Sequence, residues 1–339
     1  MAFPRDKIAF LAKLEAVNGT PIAIAAPDFD CEVLEPEYTP MIEMDGGLRP
    51  AIGSHAELRD ISGAKAGQIK FKMNLGPASA AGTAPKWGKF MKACGQDETD
   101  YGLVGTSYSP LAVCDEICMS LELLKISRSG TPTGIVQKIG GAMGNFVLGC
   151  AGIGKPLQAE FTFLGKHVTA TNINAGATTA LNVLTAPDTA KPYILSSATF
   201  TVGGVARAIS SWKLDAGNKV ELEIDPADAN GGDYRCAGIT ARNPKFTCNP
   251  LLATAFDPVA DQVAQTTATL ILILDTAGSI PLTITMPVGQ VVDPKPAVRE
   301  NEESWDISYK LEANGTPASK IVATLDWEET FEILLGAKA

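Results

Sequence analysis

The stretch Gly149-Cys-Ala-Gly-Ile-Gly-Lys-Pro156, continued by Leu157-Gln-Ala-Glu-Phe-Thr-Phe163, decides between two kinds of fold. Its first eight residues come within one position of G-x-x-x-x-G-K-[ST], the loop that cradles nucleotide phosphates ahead of a helix. Such a loop needs a hydroxyl for Mg²⁺ and free backbone N–H groups at a helix start. Pro156 supplies neither. The residues that follow are apolar at 157, 159, 161 and 163, a period of two, which predicts a strand. Gly144-Asn-Phe-Val-Leu-Gly149 upstream is also strand-like, so the glycine-rich segment is expected to turn between two antiparallel strands.

Working outward, the same kind of element recurs. Ile69, Phe71 and Met73 alternate in one strand, and Val220, Leu222 and Ile224 alternate in another, each 151 residues later. Pro85 opens a short helix whose apolar positions Trp87, Phe90, Met91 and Cys94 are spaced i, i+3, i+4, i+7, with Gly95 as its C-cap. Pro250 is expected to open its counterpart through Leu251, Leu252, Ala255 and Phe256, with Pro258 stopping it. Hairpins follow at Leu121 to Val136 and Leu270 to Met286. A closing strand pair then runs from Phe146 to Phe163 and from Trp305 to Phe331, the last with Ile321, Ala323, Leu325 and Trp327 alternating. The fold class expected is mainly β, a sandwich or open barrel with one short flanking helix, in two tandem copies. Residues 1–170 and 191–339 would be the copies and 171–190 the linker.

With 339 residues and 45% apolar composition the chain can bury an ample core. Against 28 basic residues stand 38 acidic ones, a net charge of −10, which argues against a groove gripping nucleic acid through its phosphates. The opening residues mix charges with apolar side chains, so neither a secretory signal nor a membrane span is expected there. Seven cysteines form no disulfide pattern.

Residues able to carry chemistry are few. His55 and His167 lack metal-pair spacing. Cys114 and Cys118 could meet a metal only with two further ligands, and no second Cys or His pair exists; both read better as small residues at a strand edge. Glu302, Glu303, Glu328 and Glu329 could pair as catalytic carboxylates, but next to Trp305 and Trp327 they read as the solvated face of strands. No cofactor, metal or catalytic group is expected. The segment Met41 to Gly67 is mixed in charge and weak in pattern, a long excursion that reads equally as a bland surface loop or as a partner-binding arm.

The string Gly76-Pro-Ala-Ser-Ala-Ala-Gly-Thr-Ala-Pro-Lys-Trp-Gly-Lys-Phe-Met-Lys-Ala-Cys-Gly95 resembles the tail tube (major tail) proteins of long-tailed bacteriophages. So do Lys13 to Thr20, the turn and strand from Gly144 to Gly165, and Gly238 to Lys245. The resemblance implies a β-structured virion subunit whose sheets join neighbours around a ring, with rings stacked into a hollow tube that passes DNA into the host. Two tube-like copies per chain would close a ring with three chains, a hexamer being the alternative. Tape measure, tail terminator and baseplate proteins are the implied partners, and the phage tail, assembled in the host cytoplasm, is the implied location. Asp45, Leu48, Arg49, Glu57 and Arg59 of the long excursion are the expected ring-to-ring contacts, and Pro85, Trp87, Phe90 and Met91 pack the helix. The acidic balance would keep DNA sliding past the wall. Two readings from other classes stay open: a non-polymerising β-sandwich binding or decoration protein, and a glycan enzyme using a carboxylate pair.

Overall fold

Alternation of apolar and polar side chains dominates the chain, and the computed structural model is correspondingly built of strands. It describes residues 8–24, 31–45, 61–78, 83–102, 105–111, 116–126, 134–169, 192–195, 198–225, 234–253, 256–274, 280–299, 302–313 and 330–336. In the N-terminal half these form β1 (Ile8–Leu14), β2 (Leu34–Asp45), β3 (Ile61–Asn74), α1 (Gly88–Ala93), β4 (Gln96–Asp100), β5 (Gly105–Pro110), β6 (Met119–Ile126), β7 (Gly134–Cys150) and β8 (Gln158–Val168). The C-terminal half contributes β9 (Ala198–Val202), β10 (Val205–Arg207), β11 (Trp212–Asp215), β12 (Asn218–Ile224), β13 (Tyr234–Arg242) and β14 (Lys245–Cys248). It continues with α2 (Pro258–Ala264), β15 (Thr267–Leu274), β16 (Leu282–Arg299), β17 (Glu302–Glu312) and β18 (Glu332–Gly336). The chain is mainly β, as its patterning predicts.

The glycine-rich stretch is a turn. β7 ends at Cys150, β8 begins at Gln158, and the two pair with Phe146 opposite Phe161. Gly154 takes φ +73°, a conformation glycine adopts without strain.

Both halves trace one strand order. In the N-terminal half the neighbours run β1-β6-β7-β8-β3-β2, every pair antiparallel. In the C-terminal half they run β9-β15-β16-β17-β14-β11, again all antiparallel. The hairpins repeat in detail, since the register shifts between Met119 and Leu121 in one and between Ala268 and Leu270 in the other. In each half the helix follows, along the chain, the fifth strand of the order, β3 or β14.

Four expectations are corrected. The strand in the position of β3 is β14, whereas β12, among the described residues, pairs only with β13 in a separate two-stranded sheet. Alternation reveals a strand with one dry face; it does not name the neighbour. Pro258 starts a helix instead of stopping one, because Asp257 caps it by accepting from Val259 N (3.1 Å) and Ala260 N (3.0 Å), and proline at the first position loses no bond. Leu251, placed in a helix by spacing, instead makes a β-bridge to Ser304. Finally, the excursion from Met41 is in large part a continuation of the β2–β3 ladder, which runs out to Asp45 opposite Ile61. It projects past the core with Met41 and Ile42 exposed, so neither face was selected to be apolar and the pattern fades. The expected linker 171–190 and the strand expected around Ile321 to Trp327 lie outside the described residues.

One apolar cluster runs through both halves, from Phe10, Phe71 and Phe90 to Leu214, Phe246, Leu272 and Tyr309. Phe71 is its centre in the N-terminal half, with ring centroids 4.6 Å from Phe10, 5.1 Å from Phe90 and 5.3 Å from Phe161. The α1 helix is short, and its packing holds it: Pro85, Trp87, Phe90 and Met91 are all buried, and Trp87 Nε1 donates to Gly76 O at 2.9 Å. A Cβ on Gly88 would collide with the Tyr108 hydroxyl, itself buried and donating to Glu98 Oε2 at 2.7 Å. Gly88→Ala is therefore expected to cost about 1–3 kcal/mol, read from urea unfolding. A change below about 0.5 kcal/mol would mean that Tyr108 is free to move aside.

Candidate assembly surfaces

The two halves meet in a strand joint. β7 outlasts β6, and its last residues, Val147 to Cys150, pair on that side with Asp215 to Trp212 of β11. Ala216 N extends the joint by donating to Phe146 O at 3.1 Å. Eight strands thereby form one run, β16-β17-β14-β11-β7-β8-β3-β2. The run consists of two four-strand groups in the same order, joined where the last strand of one meets the first of the other.

Among the described residues neither end of this run pairs with a further strand, although α2 lies against β16 and reaches Val292 O through Gln262. At one end, β2 pairs only with β3. At the other, β16 beyond Val291 pairs only with β17, because β15 stops opposite Gln290. The edge directions follow from backbone bonds. Trp305 N donates to Pro250 O (2.9 Å) and Leu311 N to Pro244 O (3.1 Å), so odd positions of β17 serve the β14 side and even ones face β16 at Asp293, Lys295 and Ala297. Pro294 and Pro296 consequently turn their nitrogens to the open side. In the same way, Leu75 N donates to Leu157 O (3.0 Å), so even positions of β3 face β2 at Thr39 and Glu37, and Pro40 looks outward.

A second contact between the halves is made by β12–β13, which leaves its own sheet and lies across β7 and β8. Cys118, Met143 and Ala237 are buried there with Val220, Leu222 and Ile239 around them. At the base of this hairpin Arg242 donates to Leu111 O (2.6 Å), to Gly95 O (3.3 Å) and to Glu116 Oε1 (3.2 Å). Asn218 Nδ2 donates to Cys94 O (2.7 Å) and Gly144 O (3.0 Å).

An open trough of about 650 Å³ crosses the joint, lined among others by Lys72, Glu160, Val147, Lys213, Asp293, Lys295 and Asp306. Its charges are of both signs, and some are paired locally: Lys72 with Glu35 at 3.0 Å and Lys295 with Asp293 at 2.7 Å. Exposed pairs of this kind add little stability. Their effect is to leave the surface without a strong field of either sign, so the acidic excess of the chain is not concentrated here.

No described group of His, Cys, Asp and Glu could hold a metal. His167 Nδ1 sits 2.9 Å from the Tyr38 hydroxyl, and burial, with Lys65 nearby, lowers its pKa. Glu302 and Glu303 are exposed at the start of β17. Of the expected ring-to-ring contacts, Asp45 ends β2, while Leu48, Arg49, Glu57 and Arg59 lie outside the described residues, as do His55, Cys114, Glu328 and Glu329. The open edges and the inter-half joint were missed by sequence reasoning. The prolines at 40, 294 and 296 were their one signal, since proline inside a strand marks an edge.

The thiols differ in a way that can be measured. Burial pushes the Cys150 thiol up to about 12 and raises Cys94 and Cys248 as well. Cys236 is half-buried and its pKa is lowered, chiefly by a hydrogen bond from the Cys118 thiol. In a Cys114→Ser background, Cys236 should react with a thiol reagent well before Cys94, Cys150 or Cys248, as followed by peptide mass spectrometry. Equal rates at all four would contradict this packing.

No protein-family model matches the chain, and no curated protein is detectably similar to it in sequence. No described helix is long and apolar enough to cross a membrane.

Proposed function

We propose that the chain is a structural subunit that closes into rings and stacks into the tail tube of a long-tailed bacteriophage. One observation carries the reading: a sheet already joined once inside the chain, by β11 and β7, presents at its two ends β2 and β16, their counterparts in the strand order. Open edges invite pairing, and a repeated head-to-tail joint that closes gives a ring. The shared strand order supports two tandem copies per chain, so three chains supply six similar units. Stacking of rings is a further heterologous contact that does not close, which makes a filament.

In this reading the connection from β2 to β3 makes the ring-to-ring contact. The corresponding connection in the C-terminal half, β12–β13, already reaches out of its own sheet onto another. Removing residues 46–60 should leave rings that do not stack. Normal tubes from that deletion would end this assignment. Genome DNA would pass the lumen without specific binding, and tape measure, terminator and baseplate proteins would be the partners.

The test is negative-stain electron microscopy with light scattering over a concentration series. Rings or hollow tubes are expected, with a ring mass of three chains of 35.5 kDa each. A single-chain mass at every concentration, with no ring captured by amine cross-linking, would refute the reading in favour of a non-polymerising binding or decoration protein.

A further inference from the structure

The joint inside the chain and the joint between chains cannot be chemically alike. At the inner joint both strands offer complete backbones, Val147 to Cys150 and Trp212 to Asp215, with no proline between them. The open edge of β16 is different. Pro294 and Pro296 face outward and bring acceptors without donors. One further acceptor nearby, Val292 O, is taken by Gln262 Nε2 of α2 at 2.7 Å. Across the joint, the corresponding edge of β2 carries Pro36 and the outward-facing Pro40.

The position of the partner follows from the repeat. Phe246 of β14 lies opposite Leu214 of β11, and Phe71 of β3 lies in the corresponding place beside the stretch of β2 between Leu34 and Glu37. Leu214 meets β7 at Leu148, which stands opposite Ala159 of β8. The corresponding place on β16 is Pro294, opposite Ile307 of β17.

Resting on the tube reading, we propose that β16 from Asp293 to Val298 receives β2 of a second copy near Leu34 to Glu37, and that Pro294 and Pro296 keep this joint deliberately weaker than the inner one. A proline on an edge strand removes a donor from any incoming strand while leaving its own sheet intact. A single weak joint does not hold two chains together. Closing a ring makes several joints at once, so the chain assembles only when a ring can be completed or is templated.

Two measurements test this on the full chain. In the first, Lys295 is replaced by a photoreactive phenylalanine analogue, and mixed isotope-labelled chains are cross-linked and mapped. Cross-links to residues 33–37 of a second copy are expected. Rings whose cross-links fall elsewhere would overturn the joint while leaving the tube reading standing. In the second, Pro294→Val with Pro296→Val restores two donors per joint, and the concentration at which rings appear is expected to drop about tenfold or more. Circular dichroism and the thermal midpoint confirm that the variant folds; Pro296→Val alone serves should the pair misfold. Assembly at the wild-type concentration, with the cross-link in place, would overturn the role of the prolines. No inter-chain cross-link and no ring from wild type or variant would sink both this proposal and the tube reading.

Discussion

Glu15→Ala is expected to remove about 3–5 kcal/mol of stability, as measured by urea unfolding. Glu15 follows β1 and is only 5% exposed. Its Oε1 accepts from the Ser120 hydroxyl (2.7 Å) and Gly141 N (2.8 Å), and its Oε2 accepts from Gly19 N (2.9 Å). Two of those donors are backbone groups at places where the chain is irregular: Gly19 at φ +79° in a turn, and Gly141 at φ +56° beside the register shifts of β7 with β6 and β8. Neither can find a ladder partner, so the carboxylate is the device that permits the irregularity. Removing it strands buried donors, at roughly 1–3 kcal/mol each. Glu15→Gln keeps one acceptor oxygen and should cost less. The effect should reach the second half as well. A Cβ on Gly141 would lie 2.9 Å from Cys236 Cα, and one on Gly19 would lie 2.6 Å from Arg235 O, so β13 packs directly on both turns. Hydrogen exchange in β12–β13 should therefore rise in Glu15→Ala. A loss below about 1 kcal/mol, or unchanged exchange in that hairpin, would contradict the role assigned to this side chain.

The fold was legible wherever burial selects one face of a strand. Ile69, Phe71 and Met73, or Ile307, Tyr309 and Leu311, alternate because one side of each is dry. The stop at Gly95 was legible, since its φ of +71° acts at the residue itself, whereas Pro85 lies ahead of α1, in the turn that Gly88 N closes by donating to Pro85 O at 2.8 Å, and Trp87 is the N-cap. Pairing partners were not legible, since β12 and β14 differ in neighbours and hardly in pattern. Pro258 was misread because the same residue stops a helix or starts one, and the choice lies with the preceding Asp257. The candidate assembly surfaces were the least legible part. An open edge is defined by what no other strand covers, a property of the whole sheet. The pattern of the excursion from Met41 is weak because the β2–β3 ladder leaves the core there.

Leu214→Ala should lower stability by about 2–5 kcal/mol and should do so for the whole chain in a single transition. Leu214 is fully buried in β11, opposite Phe246 on one side and Leu148 on the other. It belongs to the apolar cluster that continues from Phe71 to Leu272, so the cavity left by truncation is shared by strands of both halves. Two autonomous domains would respond otherwise: one unfolding step would shift and the other would stay. In a Trp87→Phe background, intrinsic tryptophan fluorescence follows the C-terminal half through Trp212 and Trp305, and thiol exposure at Cys94, read by peptide mass spectrometry, follows the N-terminal half. Coincident, equally shifted transitions are expected from the two probes, and separated ones would show that the joint is a seam. The same variant bears on assembly, because β11 lies in the middle of the sheet whose ends are proposed to join copies. If sheet continuity around the ring sets the position of β2 against β16, loosening β11 should raise the concentration needed for rings even where the monomer stays folded. An unchanged assembly concentration would mean that each edge acts alone.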